Sequence, residues 1–274
     1  MSAETSGSDS GRPPRCLVLH GLGGGPYEVA PLIDGLAAEG AILRAPTLPG
    51  HDGLGPVMPA SRWQDWFDAS LAELAGLNPG GNEPVVVVGF STGATLALRL
   101  AAERRIDRLI LLAPFLAIRY SGLVPLRPTS YLRRLSRVVP NLPRRPPAVR
   151  DSAVRRSLAG CDRFTTFSLA AAASALELIE DVVPRVPSIR TPTLILQGTL
   201  DTVVEPSNAA WLLAKLGSSA KRLEWLSRSD HLLALDRDRD RVMQLVLDAS
   251  MGRGEFAGTD WSGPGADVFP DSIR

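Results

Sequence analysis

Residues 85–95 read VVVVGFSTGAT, so a run of four valines ends in Gly89-Phe90-Ser91-Thr92-Gly93. A serine hydroxyl is a weak nucleophile until a base takes its proton. Three histidines could do so: His20, His51 and His231. His231 lies in SRSDHLLALD, just after the strand-like stretch KRLEWLS at 221–227. An imidazole in this role needs an acid that fixes its tautomer and stabilises the imidazolium. Asp201, in LILQGTLDTVV, follows another apolar run and suits that task. Asp230 and Asp236 are rival acids, but they lie too close to His231 in sequence to sit on a neighbouring strand end.

A carbonyl under attack also needs donors for its developing negative charge, usually two backbone N–H groups. The residue after the nucleophile, Thr92, predicts one. The loop HGLGGG (20–25) predicts the other, at Leu22, with His20-Gly21 positioning the loop rather than reacting. The order Ser91, Asp201, His231 and the strand–G-x-S-x-G–helix context together form the nucleophile-elbow pattern. Glycines at 89 and 93 fit a turn in which a side chain would collide with the adjacent strand or helix.

These residues require strands that deliver them to one rim. Short apolar runs suggest strands at 16–21, 41–50, 85–90, 108–114, 193–199 and 221–227. Helical patterns fall near 27–39, 61–75 (with Ser61 as N-cap), 92–104, 206–216 and 236–250. Such alternation predicts an α/β fold with a mostly parallel sheet of about six or more strands flanked by helices. In that architecture ligands bind beyond the carboxyl ends of the strands, where Ser91, Asp201 and His231 all fall. Residues 115–192 are too many for one crossover and predict an insertion, with a helix at 165–181.

Composition is that of an ordinary globular chain: 274 residues, 45% hydrophobic and 22% charged, with net charge +1. No global field draws it to nucleic acid. The longest apolar stretch, 109–118, is too short to span a bilayer, and the polar N-terminus lacks a secretory signal's apolar segment. A cytoplasmic protein with two unpaired thiols, Cys16 and Cys161, is expected.

The segments CLVLHGLGG, TLPGHDG, VVGFSTGA, PTLILQGTLDTVV and SDHLLALD resemble the α/β-hydrolase superfamily, and within it bacterial carboxylesterases and monoacylglycerol lipases with a small cap. The resemblance implies a core at 16–115 and 190–251, a helical cap at 116–189, an arm at 1–15 and a flexible tail at 252–274. It also implies a small-molecule ester as substrate, no cofactor and no metal. It carries the nucleophile to Ser91, the acid to Asp201, the base to His231 and the oxyanion donors to Leu22 and Thr92. Apolar residues expected at the acyl pocket are Phe115, Leu116, Leu123, Phe164, Phe167, Val203 and Leu232. Between residues 119 and 163 stand eleven arginines against two acids, Asp151 and Asp162. That stretch reads either as a solvated face or as an attraction for anionic substrates or lipid surfaces.

Other readings have less support. A dinucleotide fingerprint would need glycine at 26, where Pro26 stands, and the histidines lack metal-ligand spacing. Lactone, thioester or C–C hydrolysis would use the same three residues. A non-catalytic binding module on this fold has no physical need for all three.

Overall fold

The computed structural model describes residues 13–53, 55–117, 128–159, 164–258 and 261. The elements run β1 (Arg15–Leu19), α1 (Ala30–Ala38), β2 (Ile42–Arg44), α2 (Trp63–Leu77), β3 (Val85–Phe90), α3 (Thr92–Ala101) and β4 (Arg108–Leu112). Then follow α4 (Pro128–Leu135), β5 (Asn141–Pro143), α5 (Ser152–Ala159), β6 (Thr166–Ser168), α6 (Leu169–Val182), β7 (Thr193–Gly198), α7 (Ser207–Lys215), β8 (Lys221–Leu226) and α8 (Arg239–Met251).

Six strands form a sheet in the order β2-β1-β3-β4-β7-β8, with every neighbouring pair parallel. The four inner strands, β1, β3, β4 and β7, are mostly apolar because both faces are covered, whereas the edge strands β2 (ILR) and β8 (KRLEWL) carry charged residues. Leu17, Val87, Leu109 and Ile195 enter one hydrophobic cluster, with residues of α2, α3, α6 and α7. Val18, Val88, Ile110 and Leu194 alternate into the other, with α1 and α8. From β1 the chain passes to β2 on one side, and from β3 it moves across to the other. The order therefore reverses between β1 and β3, the switch point where an open parallel sheet leaves a crevice.

The expected insertion is only partly helical. β5 pairs antiparallel with β6, with Leu142 opposite Phe167. The helix expected at 165–181 thus begins at Leu169, since Thr166–Ser168 are taken up by that pairing. Ala171, Ala175, Leu178 and Val182 of α6 join the cluster beneath the sheet. Ser61 is not the N-cap of α2. That position is Arg62, and the Trp63 N–H donates instead to Ser174 Oγ of α6 at 2.8 Å. The segment past Gly252, expected to be loose, starts with a 3-10 turn, Gly254–Phe256. Phe256 and Trp261 are buried edge to face, 5.1 Å between ring centroids, because the α1–α8 side offers apolar surface for them. Among the described residues no helix is long and apolar enough to cross a membrane. Cys16 is a buried free thiol; Cys161 lies outside the described residues.

Candidate active site

β3 ends at Phe90, and the chain turns into α3 through Ser91, whose φ of 54° and ψ of −118° lie outside the usual regions for an L-residue. The turn is held by Ser91 N–H donating to the Leu112 carbonyl at 2.9 Å. A Cβ at Gly89 would lie 2.6 Å from Ala94 Cα, and one at Gly93 would lie 2.5 Å from the His20 carbonyl oxygen. Both glycines are thus required by close backbone approach, while the strained φ falls on the serine itself.

Three side chains meet at the rim. His231 Nε2 is 3.0 Å from Ser91 Oγ, and His231 Nδ1 is 2.8 Å from Asp201 Oδ2. Asp201 follows β7 and is fully buried. It accepts from the Val203 and Val204 N–H groups at 2.8 and 2.9 Å and from Gln197 Nε2 at 3.1 Å. Burial pushes its pKa up, but the His231 imidazole and the Val203 and Val204 N–H groups outweigh it and hold the carboxyl below its ordinary value. For His231, burial pushes the pKa down. The Asp201 carboxylate, helped by Glu28 and Asp230, overcomes this and raises it above the ordinary 6.5.

The rival acids serve the backbone. Asp230 Oδ1 accepts from Thr202 N–H, Thr202 Oγ1 and His231 N–H, which ties the Asp201 loop to the His231 loop. Asp236 accepts from the N–H groups of Arg150, Asp151, Asp230 and Arg237. Sequence reading missed both braces; their signal was acidic residues clustered in one tight loop.

Thr92 opens α3, so its N–H has no carbonyl one turn earlier in the helix. Among the described residues the Leu22 N–H has no hydrogen-bond partner. His20 is buried and accepts from Leu48 N–H at Nε2, 3.0 Å, leaving Nδ1–H to donate to the Gly21 carbonyl at 2.9 Å. Burial and the neighbouring His51 lower its pKa to about 3, so it holds the loop as a neutral imidazole.

Ser91 and His231 open into a cavity of about 330 Å³. Of the apolar residues named from the sequence, Phe115, Phe167, Val203 and Leu232 line it. Leu116 and Phe164 do not: both are buried in the core cluster, which takes their side chains away from the cavity. Leu123 lies outside the described residues. The lining that sequence reading missed is Tyr27, Glu28, Phe90 and the extended stretch 142–148, LPRRPPA, with Leu158. That stretch has no periodic signal. Part of the arginine-rich segment is taken up by ion pairs: Arg133 joins α4 to Glu177 of α6 at 2.7 Å, and Arg150, just past the stretch, faces Asp230 at 3.5 Å. Among the described residues no cluster of His, Cys, Asp and Glu could hold a metal.

Residues 13–238 match the family described as serine aminopeptidase, S33. A carboxylesterase of Bacillus subtilis (strain 168) is 23% identical over 232 residues, which cover 85% of this chain and 90% of that one. A thermostable monoacylglycerol lipase of Bacillus sp. (strain H-257) is 26% identical over 244 residues, 85% of this chain and 88% of that one. The crystal structure of a monoacylglycerol lipase from Paleococcus ferrophilus superposes with a TM-score of 0.75 at 20% identity, covering 88% of this chain and 96% of that one.

Proposed function

This chain belongs to the serine aminopeptidase (S33) family of α/β-hydrolases, and on that premise we propose that it is a carboxylic ester hydrolase working through Ser91, His231 and Asp201. The observation that carries the reading is the unbroken relay Ser91 Oγ–His231 Nε2, 3.0 Å, and His231 Nδ1–Asp201 Oδ2, 2.8 Å, opening into a mostly apolar cavity.

Ser91 Oγ attacks the acyl carbonyl carbon while His231 Nε2 takes the hydroxyl proton. Asp201 stabilises the imidazolium. The Leu22 and Thr92 N–H groups receive the carbonyl oxygen as it becomes an oxyanion, and the positive end of α3 adds to their effect. The C–O bond to the alcohol then breaks, and His231 returns the proton to the departing oxygen. Water attacks the acyl-serine by the same route, releasing the acid and restoring Ser91.

Esters fit this cavity better than peptides with a free amino terminus. The charged groups on its wall are Glu28, Arg144 and Arg145, with His231 neutral in its role as base. Glu28 is already paired with Arg144, so the wall offers an incoming ammonium more repulsion than attraction. The names of the two Bacillus relatives point the same way.

The test is hydrolysis of p-nitrophenyl esters of increasing acyl length by wild type and Ser91→Ala, beside fluorophosphonate labelling. Expected are ester turnover in the wild type, none above background in the variant, and a label on Ser91. A labelled but inert wild type would move the substrate to another acyl class, such as a lactone or thioester. Failure of both signals would sink the hydrolase reading.

A further inference from the structure

Leu22 N–H must point at a developing oxyanion from a loop rich in glycine, and such a loop does not hold its aim unaided. Two contacts flank it. The peptide before is held by Gly21 N–H donating to Glu28 Oε2 at 3.2 Å. On the other side the Gly23–Gly24 peptide is held by the Arg144 guanidinium, whose Nη1 donates to the Gly23 carbonyl. The two holders face one another, with Arg144 Nη2 3.8 Å from Glu28 Oε1, and their side chains are 17% and 6% exposed. They differ in origin. Glu28 follows the loop in sequence, whereas Arg144 comes from the stretch between β5 and α5.

That stretch is fixed at both ends. Arg144 N–H donates to the Thr165 carbonyl at 2.8 Å, and Thr165 N–H to the Pro56 carbonyl at 2.8 Å. Further on, Leu232 N–H donates to the Ala148 carbonyl at 3.1 Å, and Arg150 N–H to Asp236. One end is therefore tied to the loop before α2 and the other to the loop that carries His231. Prolines 146 and 147 stiffen the piece between.

The charges make the arrangement two-sided. A buried carboxylate beside an oxyanion hole opposes the charge that forms there, unless a cation balances it. Arg144 supplies that cation as well as the hydrogen bond to Gly23. We propose that Glu28 and Arg144 are positioning residues that clamp the 21–23 loop from both sides, and that Arg144 makes the oxyanion hole depend on the seating of the 141–149 segment. The inference rests on the reading of Leu22 as an oxyanion donor. Neither side chain is asked to touch the reacting atoms. Their effect is on the barrier, so it belongs in kcat rather than KM.

The experiment compares wild type, Ser91→Ala, Glu28→Gln, Arg144→Lys, Arg144→Met and the Glu28→Gln/Arg144→Met double variant on a p-nitrophenyl ester, with a melting curve for each. Arg144→Met loses the Gly23 contact and removes the positive charge facing Glu28, so its kcat should fall by about 10²-fold, the scale of one lost oxyanion donor, with KM within about threefold. Glutamine at 28 still accepts from Gly21 N–H and should cost only a few-fold. The double variant, with the opposing charge removed, should regain about tenfold over Arg144→Met, and Arg144→Lys should fall between wild type and Arg144→Met.

Wild-type kcat in Arg144→Met, a loss wholly in KM, or a double variant no better than Arg144→Met overturns the clamp while leaving the ester hydrolase reading intact. Should Arg144→Met fail to fold, the decision passes to Arg144→Lys and the double variant. A lysine enzyme with full kcat, or a folded double variant without a lowered kcat, then overturns it. Ser91→Ala turning over as wild type does would remove the reading itself, and the clamp with it.

Discussion

Replacing Gly93 by alanine sets two effects of opposite sign against each other. Alanine is favoured over glycine inside a helix by about 1 kcal/mol, and Gly93 is the second residue of α3. Yet the new Cβ would stand 2.5 Å from the His20 carbonyl oxygen and 2.7 Å from the Leu19 carbonyl carbon. Carbon contacts settle near about 3.5 Å, so strand and helix must part by about 1 Å. The opposing atoms are backbone of β1 and its exit, and β1 is hydrogen-bonded to β2 on one side and β3 on the other. It cannot swing away as a side chain would. Overpacking of this sort costs about 1–3 kcal/mol, and backbone neighbours put this site at the upper end. The clash wins, with a net loss of about 1–2 kcal/mol and a Tm lowered by about 2–8 °C. Separating Ser91 from Leu22 and His231 by about 1 Å should also cost about 10²-fold in rate. The assay is a melting curve together with kcat/KM on a p-nitrophenyl ester. Gly76→Ala in α2 is the comparison, because its Cβ would meet only Arg44 Nη2, at 3.9 Å. That variant should gain about 0.5–1 kcal/mol and keep its rate. Gly93→Ala with wild-type Tm and turnover would refute the reasoning.

Four further outcomes are expected. In the proposed mechanism His231 must be neutral to accept the Ser91 proton, and its pKa is raised above 6.5, so kcat/KM should fall as pH drops through a value above 6.5. Asp201→Asn removes the main charge that raises it, so that limb should move to lower pH while kcat drops by about 10⁴-fold; a pH–rate profile of both proteins checks this. A raised histidine pKa stabilises the fold fully below the unfolded value and loses that contribution as pH rises through the folded one. The Tm cost of Asp201→Asn should therefore be larger at pH 5.5 than at pH 9. Burial pushes the Cys16 thiol up to about 12, so a Cys161→Ser protein should release no chromophore from a thiol–disulfide reagent at pH 8 until denaturant is added. Trp261→Ala empties a buried site against Phe256 and should cost about 3 kcal/mol in urea unfolding; an unchanged midpoint would show that this contact does not hold in solution.

What could be read in the sequence, and what could not, divides by the range of the interaction. The alternation of Leu17 and Val18, or Val87 and Val88, between the two faces is written in adjacent residues, and it fixes the sheet. A strand end is equally local, so Ser91, Asp201 and His231 could be assigned to one rim without knowing anything of the chain between them. The cavity wall is a different matter. Leu142–Ala148 has neither helical nor strand period, and it reaches the site only because β5 pairs with β6 and Asp236 collects the N–H groups of Arg150 and Asp151. Ser61 looked like a helix cap because caps are usually local, but the donor it should have satisfied is met by Ser174 from another helix. Phe164 and Phe167 make the point within four residues. Both are aromatic and both lie in the insertion, yet Phe167 sits on β6 opposite Leu142 and faces the cavity, while Phe164, just outside the pairing, joins the core. Their separation follows from the register of a short hairpin, and that register is set by a partner more than twenty residues upstream. A cavity wall built on such pairings can change without disturbing the strand ends that carry Ser91, Asp201 and His231.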